Sequence, residues 1–368
     1  MCIRDSNDAM SGATYGFINA ESIQEMDIKT AGAPAEYGNS RTGFMNIITK
    51  SGGNTFQGAA LFEWQPESFN TTNVEGASAA EIWYAVPSLT LSGPIVKDKV
   101  WFLASYKYDN ENSVYANTEV EDRIVAETRS HLPYLKLTFQ VAANHTLSAV
   151  FSRDEIIYNN RAFPSVRYST LATDQYRRDG GITTNLTWRW IINDSTYFNF
   201  VGGYNFGPRD RFADNQLPRL RYTERYNGGS TLLYDQSYGE DYWSVRENIL
   251  LTGHLTNYID DLWGTGSHEI KLGLDIRPFQ HATRTRLYHE DSFGFYRYRL
   301  GLDYANYGLS APYIYRGYAA RGAPGTPQDR YDNEVTVSNQ NFYLQDNWLV
   351  GKNLTLHVGF RWEHQQEY

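Results

Sequence analysis

Residues 36–64, EYGNSRTGFMNIITKSGGNTFQGAALFEW, join two patterns of different kind. Residues 44–49 (FMNIIT) are a short apolar, β-prone run, and residues 51–54 (SGGN) are a Gly-rich turn. From 56 to 64 the chain alternates. Phe56, Gly58, Ala60, Phe62 and Trp64 take one side; Gln57, Ala59, Leu61 and Glu63 take the other. A period of two is a strand with two different faces. Before this segment the chain reads as a small unit with two short strands, 25–29 and 45–50. That unit is too small to bury a core alone and must pack on something else.

After the segment, alternation dominates. In 268–278, Ile270, Leu272, Leu274 and Ile276 oppose Glu269, Lys271, Asp275 and Arg277. In 353–364, Leu354, Leu356, Val358, Phe360 and Trp362 oppose Thr355, His357, Arg361 and Glu363. Residues 182–190 set Ile182, Leu186, Trp188 and Trp190 against Thr183, Asn185, Thr187 and Arg189. Further strands are expected at 83–95, 99–109, 132–140, 145–153, 196–206, 242–257 and 341–350. The total is about eleven, each near the roughly 9–11 residues of a tilted membrane strand.

The connections between these strands alternate short and long. Residues 96–98, 142–144, 193–195 and 351–352 are tight, and 260–267 is modest. Residues 65–82, 110–129, 154–178, 207–241 and 279–339 are long and polar. A soluble sandwich has no reason to gather every long loop at one end of its strands. An outer-membrane barrel does, with short periplasmic turns and long extracellular loops. Aromatics cluster near the strand ends (Trp64, Trp83, Phe102, Tyr108, Trp188, Trp190, Tyr242, Trp243, Trp348, Trp362), as interfacial girdles require.

Composition agrees. The 368 residues are 41% hydrophobic and 15% aromatic, with 29 Tyr and 30 Gly. Mean hydropathy is −0.55. No run approaches the roughly 18–20 apolar residues of a membrane helix, whereas a barrel wall needs apolar residues only at alternate positions. Net charge is −9, which argues against nucleic acid as a partner. Cys2 is the single cysteine, so no intrachain disulfide or thiolate metal cluster forms. Residues 1–6 (MCIRDS) are no signal peptide and join nothing around them by pattern, so they read as foreign to the fold.

Residues 36–54, preceded by 27–34 (DIKTAGAP), closely resemble the end of the plug domain of TonB-dependent outer-membrane receptors. Residues 91–108 (LSGPIVKDKVWFLASYKY) resemble the first hairpin of the Oar-like group, and 342–361 (FYLQDNWLVGKNLTLHVGFR) its later strands. The resemblance implies an all-β, antiparallel transmembrane β-barrel of which about 11 of an expected 22 strands are here. It implies the C-terminal part of a plug at 7–53 and the N-terminal half of the barrel at 54–368. An open half-barrel would leave strand edges unpaired in lipid, so the chain is expected to be a piece of a longer product. The TonB box would lie upstream.

The resemblance further implies a transporter in the bacterial outer membrane. Its partners would be outer-membrane lipid, the TonB complex through the missing N-terminal part, and an unknown extracellular ligand. That ligand would be large and scarce: a siderophore, carbohydrate or peptide. No cofactor is implied. The lumen face would be polar (Glu247, Glu269, Lys271, Asp275, Arg277, Arg361, Glu363), with Glu36, Arg41 and Lys50 as candidate plug–wall ion pairs. The wall side of those contacts falls to Glu247, Glu269 and Asp275. Tyr and Arg mixtures suit recognition surfaces, so the long loop supplies ligand-binding candidates: Arg284, Arg286, Tyr288, Tyr296, Arg297, Tyr298, Tyr313 and Tyr315. The same composition also suits a loop cap packed on itself.

His281, His289, Glu290 and Asp291 have no metal-ligand spacing, so no metal site is expected. No nucleophile elbow, phosphate loop or HExxH motif is present, and acidic pairs such as Asp154–Glu155 fall in loops. The chain is therefore expected not to be an enzyme. Two other readings are an adhesive or structural barrel without transport and, more remotely, a soluble β-propeller hydrolase. The plug-like segment argues against the first, and the lack of a blade repeat against the second.

Overall fold

The computed structural model describes residues 19–29, 34–38, 44–73, 81–114, 125–160, 167–168, 174–213, 220–226, 229–235, 240–288, 294–298, 314–318, 330–351 and 353–368. Two short strands come first, β1 (Ile23–Lys29) and β2 (Phe44–Thr49), paired antiparallel so that Met26 faces Ile47 and Ile28 faces Met45. The wall strands follow: β3 (Gln57–Gln65), β4 (Ile82–Val96), β5 (Val100–Val114), β6 (Val125–Ala142) and β7 (His145–Asn159). A two-residue strand, β8 (Arg167–Tyr168), precedes β9 (Asp174–Asn193) and β10 (Thr196–Ala213). Then come β11 (Leu220–Tyr226), β12 (Gly229–Asp235), β13 (Glu240–Ile259) and β14 (Ser267–Tyr288). The chain continues with β15 (Gly294–Tyr298), β16 (Ile314–Tyr318), β17 (Arg330–Val350) and β18 (Leu354–Glu367).

An 11-stranded antiparallel sheet runs in the order β18-β17-β14-β13-β10-β9-β7-β6-β5-β4-β3. Every neighbour is the next wall strand in the chain, the up-and-down order that hairpins dictate. The eleven expected strands are these eleven. The sheet does not close on itself: β3 and β18 are its two edges.

Burial is inverted relative to a water-soluble protein. On β14 Leu274 is 52% exposed while its neighbour Asp275 is 1% exposed. Phe62, Val358 and Phe360 are likewise exposed, whereas Arg277, Asn248, Thr256 and Gln345 are buried. An apolar outer face with a polar inner face is stable only where lipid covers the first and hydrogen-bonding groups fill the second. No helix among the described residues is long and apolar enough to cross a membrane; the strands do the crossing.

The strands run well past the expected limits at the long-loop end. β13 has 20 residues and β14 has 22. At about 3.3 Å per residue β14 reaches about 70 Å, far more than a roughly 30 Å hydrocarbon core demands even at a steep tilt. The expected loops 110–129, 154–178, 207–241 and 279–339 are therefore partly strand. Above the lipid neither face need be apolar, so the alternation that marks a strand in the sequence fades while the backbone ladder continues. The same loops also supply a second sheet, in the order β16-β15-β11-β12-β8, with parallel pairs β11/β15 and β8/β12 joining different connections.

One irregularity matters for the inner surface. Between Arg277 and Gln280, β14 carries one more residue than either neighbour. Pro278, which has no N–H to give a ladder, sits in this bulge. Below it the odd positions Lys271, Asp275 and Arg277 face inward. Above it the even positions Gln280, Ala282, Arg284 and Arg286 do, because one extra residue exchanges the faces.

Candidate functional site

The concave polar face is crossed by the N-terminal segment, which touches it at two separated places. On one side Asn19 donates to the Ser105 hydroxyl of β5 and to the Leu132 carbonyl of β6, both at 3.0 Å. Lys136 of β6 donates to the Thr49 carbonyl and hydroxyl, both at 3.2 Å. On the other side Glu36 meets β14 and β17. Its carboxylate accepts from Lys271 Nζ at 3.0 Å and from Gln345 Nε2 at 3.4 Å, and its backbone N–H donates to Gln345 Oε1 at 3.1 Å. Arg361 of β18 donates to the carbonyls of Ala35 and Glu36 at 3.2 and 3.1 Å. β6 and β14 are separated in the sheet by β7, β9, β10 and β13, so the sheet curves around this segment.

Small residues allow the close approach. A Cβ on Gly359 would lie 2.7 Å from the Ala35 Cβ. A Cβ on Gly52 would lie 2.2 Å from the Phe102 carbonyl oxygen, a backbone atom that cannot yield. At the same short-turn end Asn54 clamps the β4–β5 hairpin. Its Oδ1 accepts from the Asp98 backbone N–H at 3.0 Å and from Trp101 Nε1 at 2.7 Å. Its amide donates to the Asp98 carboxylate. Asp98 holds a left-handed φ of 62° in that turn. Two motifs read separately in the sequence, SGGN at 51–54 and LSGPIVKDKVWF at 91–102, are thus one contact.

The sequence-derived candidates separate into groups. Glu36 lies between the segment and the wall, as just described. Lys50 donates instead to the Glu21 carbonyl within the N-terminal unit. Arg41 lies outside the described residues. Asp275 is buried and meets Arg277 at 3.6 Å and Arg361 at 3.7 Å. Arg361 also bonds Glu363. Glu269 accepts from Asn347 at 3.1 Å and bonds Tyr258, both on neighbouring wall strands.

Glu247 requires a correction. It pairs across the ladders with Phe206 and His281 and bonds the exposed Tyr204, which places it on the outer face and not in the lumen. On β13 the even positions point inward, and the charge of Glu247 is satisfied sideways by the Tyr204 hydroxyl. Tyr242 is the opposite correction. It was grouped with the girdle aromatics but is buried on the inner face, while Trp243 beside it packs edge-on against Phe212 outside.

The ligand candidates were expected in a loop, yet Arg284, Arg286 and Tyr288 lie on β14, Tyr296, Arg297 and Tyr298 on β15, and Tyr315 on β16. Tyr313, His289, Glu290 and Asp291 lie outside the described residues. His281 contacts the Thr336 hydroxyl at 3.0 Å and Glu334 at 3.9 Å. Among the described residues no group of three or more His, Cys, Asp or Glu side chains could hold a metal ion. The lumen residues that sequence reasoning passed over are Gln345, Asn19 and Lys136. Polar residues at alternate strand positions were their only signal, and every wall strand offers many.

The family model described as "Outer membrane beta barrel domain" matches residues 125–368. The TonB-dependent transporter Oar of Myxococcus xanthus is 27% identical over a match covering 39% of this chain and 17% of that protein. Among solved structures, the outer membrane transporter YddB from Escherichia coli superposes with a TM-score of 0.59 at 13% identity, covering 99% of this chain and 46% of that one. The siderophore receptor PirA from Acinetobacter baumannii gives 0.59 at 16%, covering 99% and 47%. At these identities the structures share the fold. The chain spans less than half the length of each of these proteins.

Proposed function

Because the chain belongs to the outer membrane β-barrel domain family and lies in the bacterial outer membrane, we propose that it serves a TonB-dependent uptake receptor. In this reading residues 54–368 are wall and the residues before them are the end of a movable plug. The observation that carries it is the described part of the N-terminal segment, residues 19–29, 34–38 and 44–49, held against a polar concave face by hydrogen bonds to β5 and β6 at one place and to β14, β17 and β18 at another. A wall whose lumen is merely structural has no need of such an occupant. Polar contacts suit a part that must move, because water replaces each lost hydrogen bond at little net cost, whereas an apolar interface would resist at about 25 cal/mol per Å² exposed. Arg41 is proposed as a further charged contact of the plug, while Lys50 ties the N-terminal unit to itself at the Glu21 carbonyl. The chemistry is binding and gating, with no catalytic step. The ligand is large, is bound from the long-loop side, and is moved at the expense of energy delivered through TonB.

The test needs no ligand. In the full-length protein with Cys2→Ser, a Thr49→Cys reporter is placed at the Lys136 contact and labelled in cells with a membrane-impermeant maleimide. Energised cells should label faster than cells treated with a protonophore or lacking TonB. Equal rates in all of these would refute the energy coupling.

A further inference from the structure

We propose that the short-turn end of the inner wall, where β9, β10 and β13 meet, holds a binding site for a pyranose unit of a saccharide, centred on Arg189, Tyr197 and Tyr258. A cleft of about 360 Å³ opens there, lined also by Ile191, Asn193 and Asp194. That volume lies at the small end of the roughly 300–1,000 Å³ of ligand pockets. The ladders fix its side and its height. Tyr197 pairs with Thr256, which is fully buried on the inner face, and Thr256 pairs in turn with Lys271. The upper edge of the cleft is therefore level with the Glu36–Lys271 contact, and the rest lies below it, toward the short turns.

A bulge shapes the cleft. Asn193 pairs with Thr196 but Ile191 pairs with Tyr197, so β9 carries Ile192 as an extra residue. The Ile191 backbone turns to Asn144 of the neighbouring hairpin, donating to its carbonyl at 2.9 Å and accepting from its side-chain amide at 3.2 Å. Tyr258 is 47% exposed, and its hydroxyl is tied to Tyr197 and Glu269. The two tyrosine rings stand 6.2 Å apart at 32°, which makes them one apolar platform. Among the described residues Arg189 has a single long hydrogen bond, from Nε to the Asn199 side chain at 3.4 Å, and its terminal amino groups have none. Asn193 spends its Oδ1 on the Ser195 N–H and hydroxyl, both at 3.0 Å, which leaves its amide hydrogens to a ligand.

The charges around the cleft select a neutral ligand. Among its lining residues Arg189 is the cation and Asp194 the anion. Glu269 is engaged by Tyr258 and Asn347, Lys271 is engaged by Glu36, and His254 meets the Tyr197 ring edge-on at 6.5 Å. Asp260 and Asp261 follow in the adjoining turn. An anion drawn to Arg189 is repelled by these carboxylates, and a cation drawn to them is repelled by Arg189. A sugar hydroxyl both donates and accepts, so it serves the guanidinium and the carboxylate together. The C–H face of the sugar ring meanwhile lies on the tyrosine platform.

The inference rests on the receptor reading for its place in uptake, where the cleft is the last wall contact of a saccharide leaving for the periplasm. Binding is tested on the full-length protein, in a detergent without a sugar headgroup, by saturation-transfer NMR. Maltose is the probe, with succinate and trialanine as charged and peptide controls. The wild type should bind maltose in preference to both controls, with the strongest transfer to ring C–H protons. Arg189→Met and Tyr258→Leu should each weaken maltose about five- to tenfold, as loss of one polar or stacking contact does. Tyr258→Phe keeps the ring and should retain most of the binding. Retained heat-modifiable migration on gels shows that each variant has assembled its barrel. No maltose binding by the wild type, unchanged binding in Arg189→Met and Tyr258→Leu, or a preference for succinate or trialanine would overturn the proposal. If maltose binds through these residues but reporter labelling at position 49 is independent of TonB, the cleft stands as a site for saccharides of the periplasm and the uptake reading falls.

Discussion

The contact between Glu36 and Lys271 offers the sharpest test of how the N-terminal segment is held. The pair is separated by 3.0 Å, with side chains only 18% and 14% exposed. At an effective dielectric of about 20 the Coulomb attraction at that distance is roughly 5 kcal/mol. Withdrawing both ions from water cancels most of it, leaving a coupling of about 1–2 kcal/mol. Glu36→Ala removes the carboxylate while Arg361 keeps its two backbone carbonyls, so the segment should stay bound but open more often. Where opening is fast relative to labelling, the modification rate follows the open population. Thr49→Cys in the Cys2→Ser background should then be labelled about 5- to 30-fold faster in Glu36→Ala at moderate urea. Lys271→Met should give a comparable increase. The double variant should fall short of the product of the two by the coupling energy, as residues in direct contact do. A coupling indistinguishable from zero, with both single effects present, would refute the ion pair as a fastening. Lack of any effect in the single variants would refute the placement of the segment against this wall.

The remaining predictions concern the geometry around that contact. Gly52→Ala drives a Cβ into the Phe102 carbonyl and should destabilise the short-turn end by about 1–3 kcal/mol, read as a lower temperature for the heat-modifiable shift; an unchanged midpoint would contradict the close approach. Deleting Pro278 removes the bulge, so Arg284 and Arg286 should exchange faces with their neighbours. Accessibility of a cysteine at position 284 to lumen-directed reagents should fall, and an unaltered labelling pattern would count against the register. At the long-loop end the Glu127 carboxyl is pulled below its usual 4.5 by hydrogen bonds from Arg129 and Asn159 against the opposing effect of burial. A depressed folded-state pKa stabilises above the unfolded value and is lost as pH falls through the folded one. The rim formed by β6 and β7 should thus become protease-sensitive as pH drops below about 4.5, and Glu127→Gln should flatten that dependence.

Much of the wall was legible because lipid imposes a rule that a linear reading can see. Ile270, Leu272, Leu274 and Ile276 had to share a face, and they do. Chain-adjacent hairpins then set the strand order without further information. The reading weakened where the lipid ends. Residues 279–288 carry no apolar alternation, so they passed for loop although their backbone continues the ladder of β14. It also weakened where charge stood in for direction, as at Glu247, whose position in the pleat outweighs its polarity.

The amino-acid pattern by itself determined an all-β wall with apolar and polar faces, the placing of short turns at one end and long connections at the other, and a small N-terminal unit that needed a surface to rest on. Each follows from local periodicity or from a chain too short to bury itself. Only the tertiary structure decided which polar residues meet. Glu36 finds Lys271 and Gln345 more than two hundred residues away, Gly52 rests on the backbone at Phe102, and one bulge at Pro278 turns Arg284 and Arg286 toward Tyr242. Periodicity specifies a face but not a partner; curvature of the sheet and the count of residues in each ladder specify the partner.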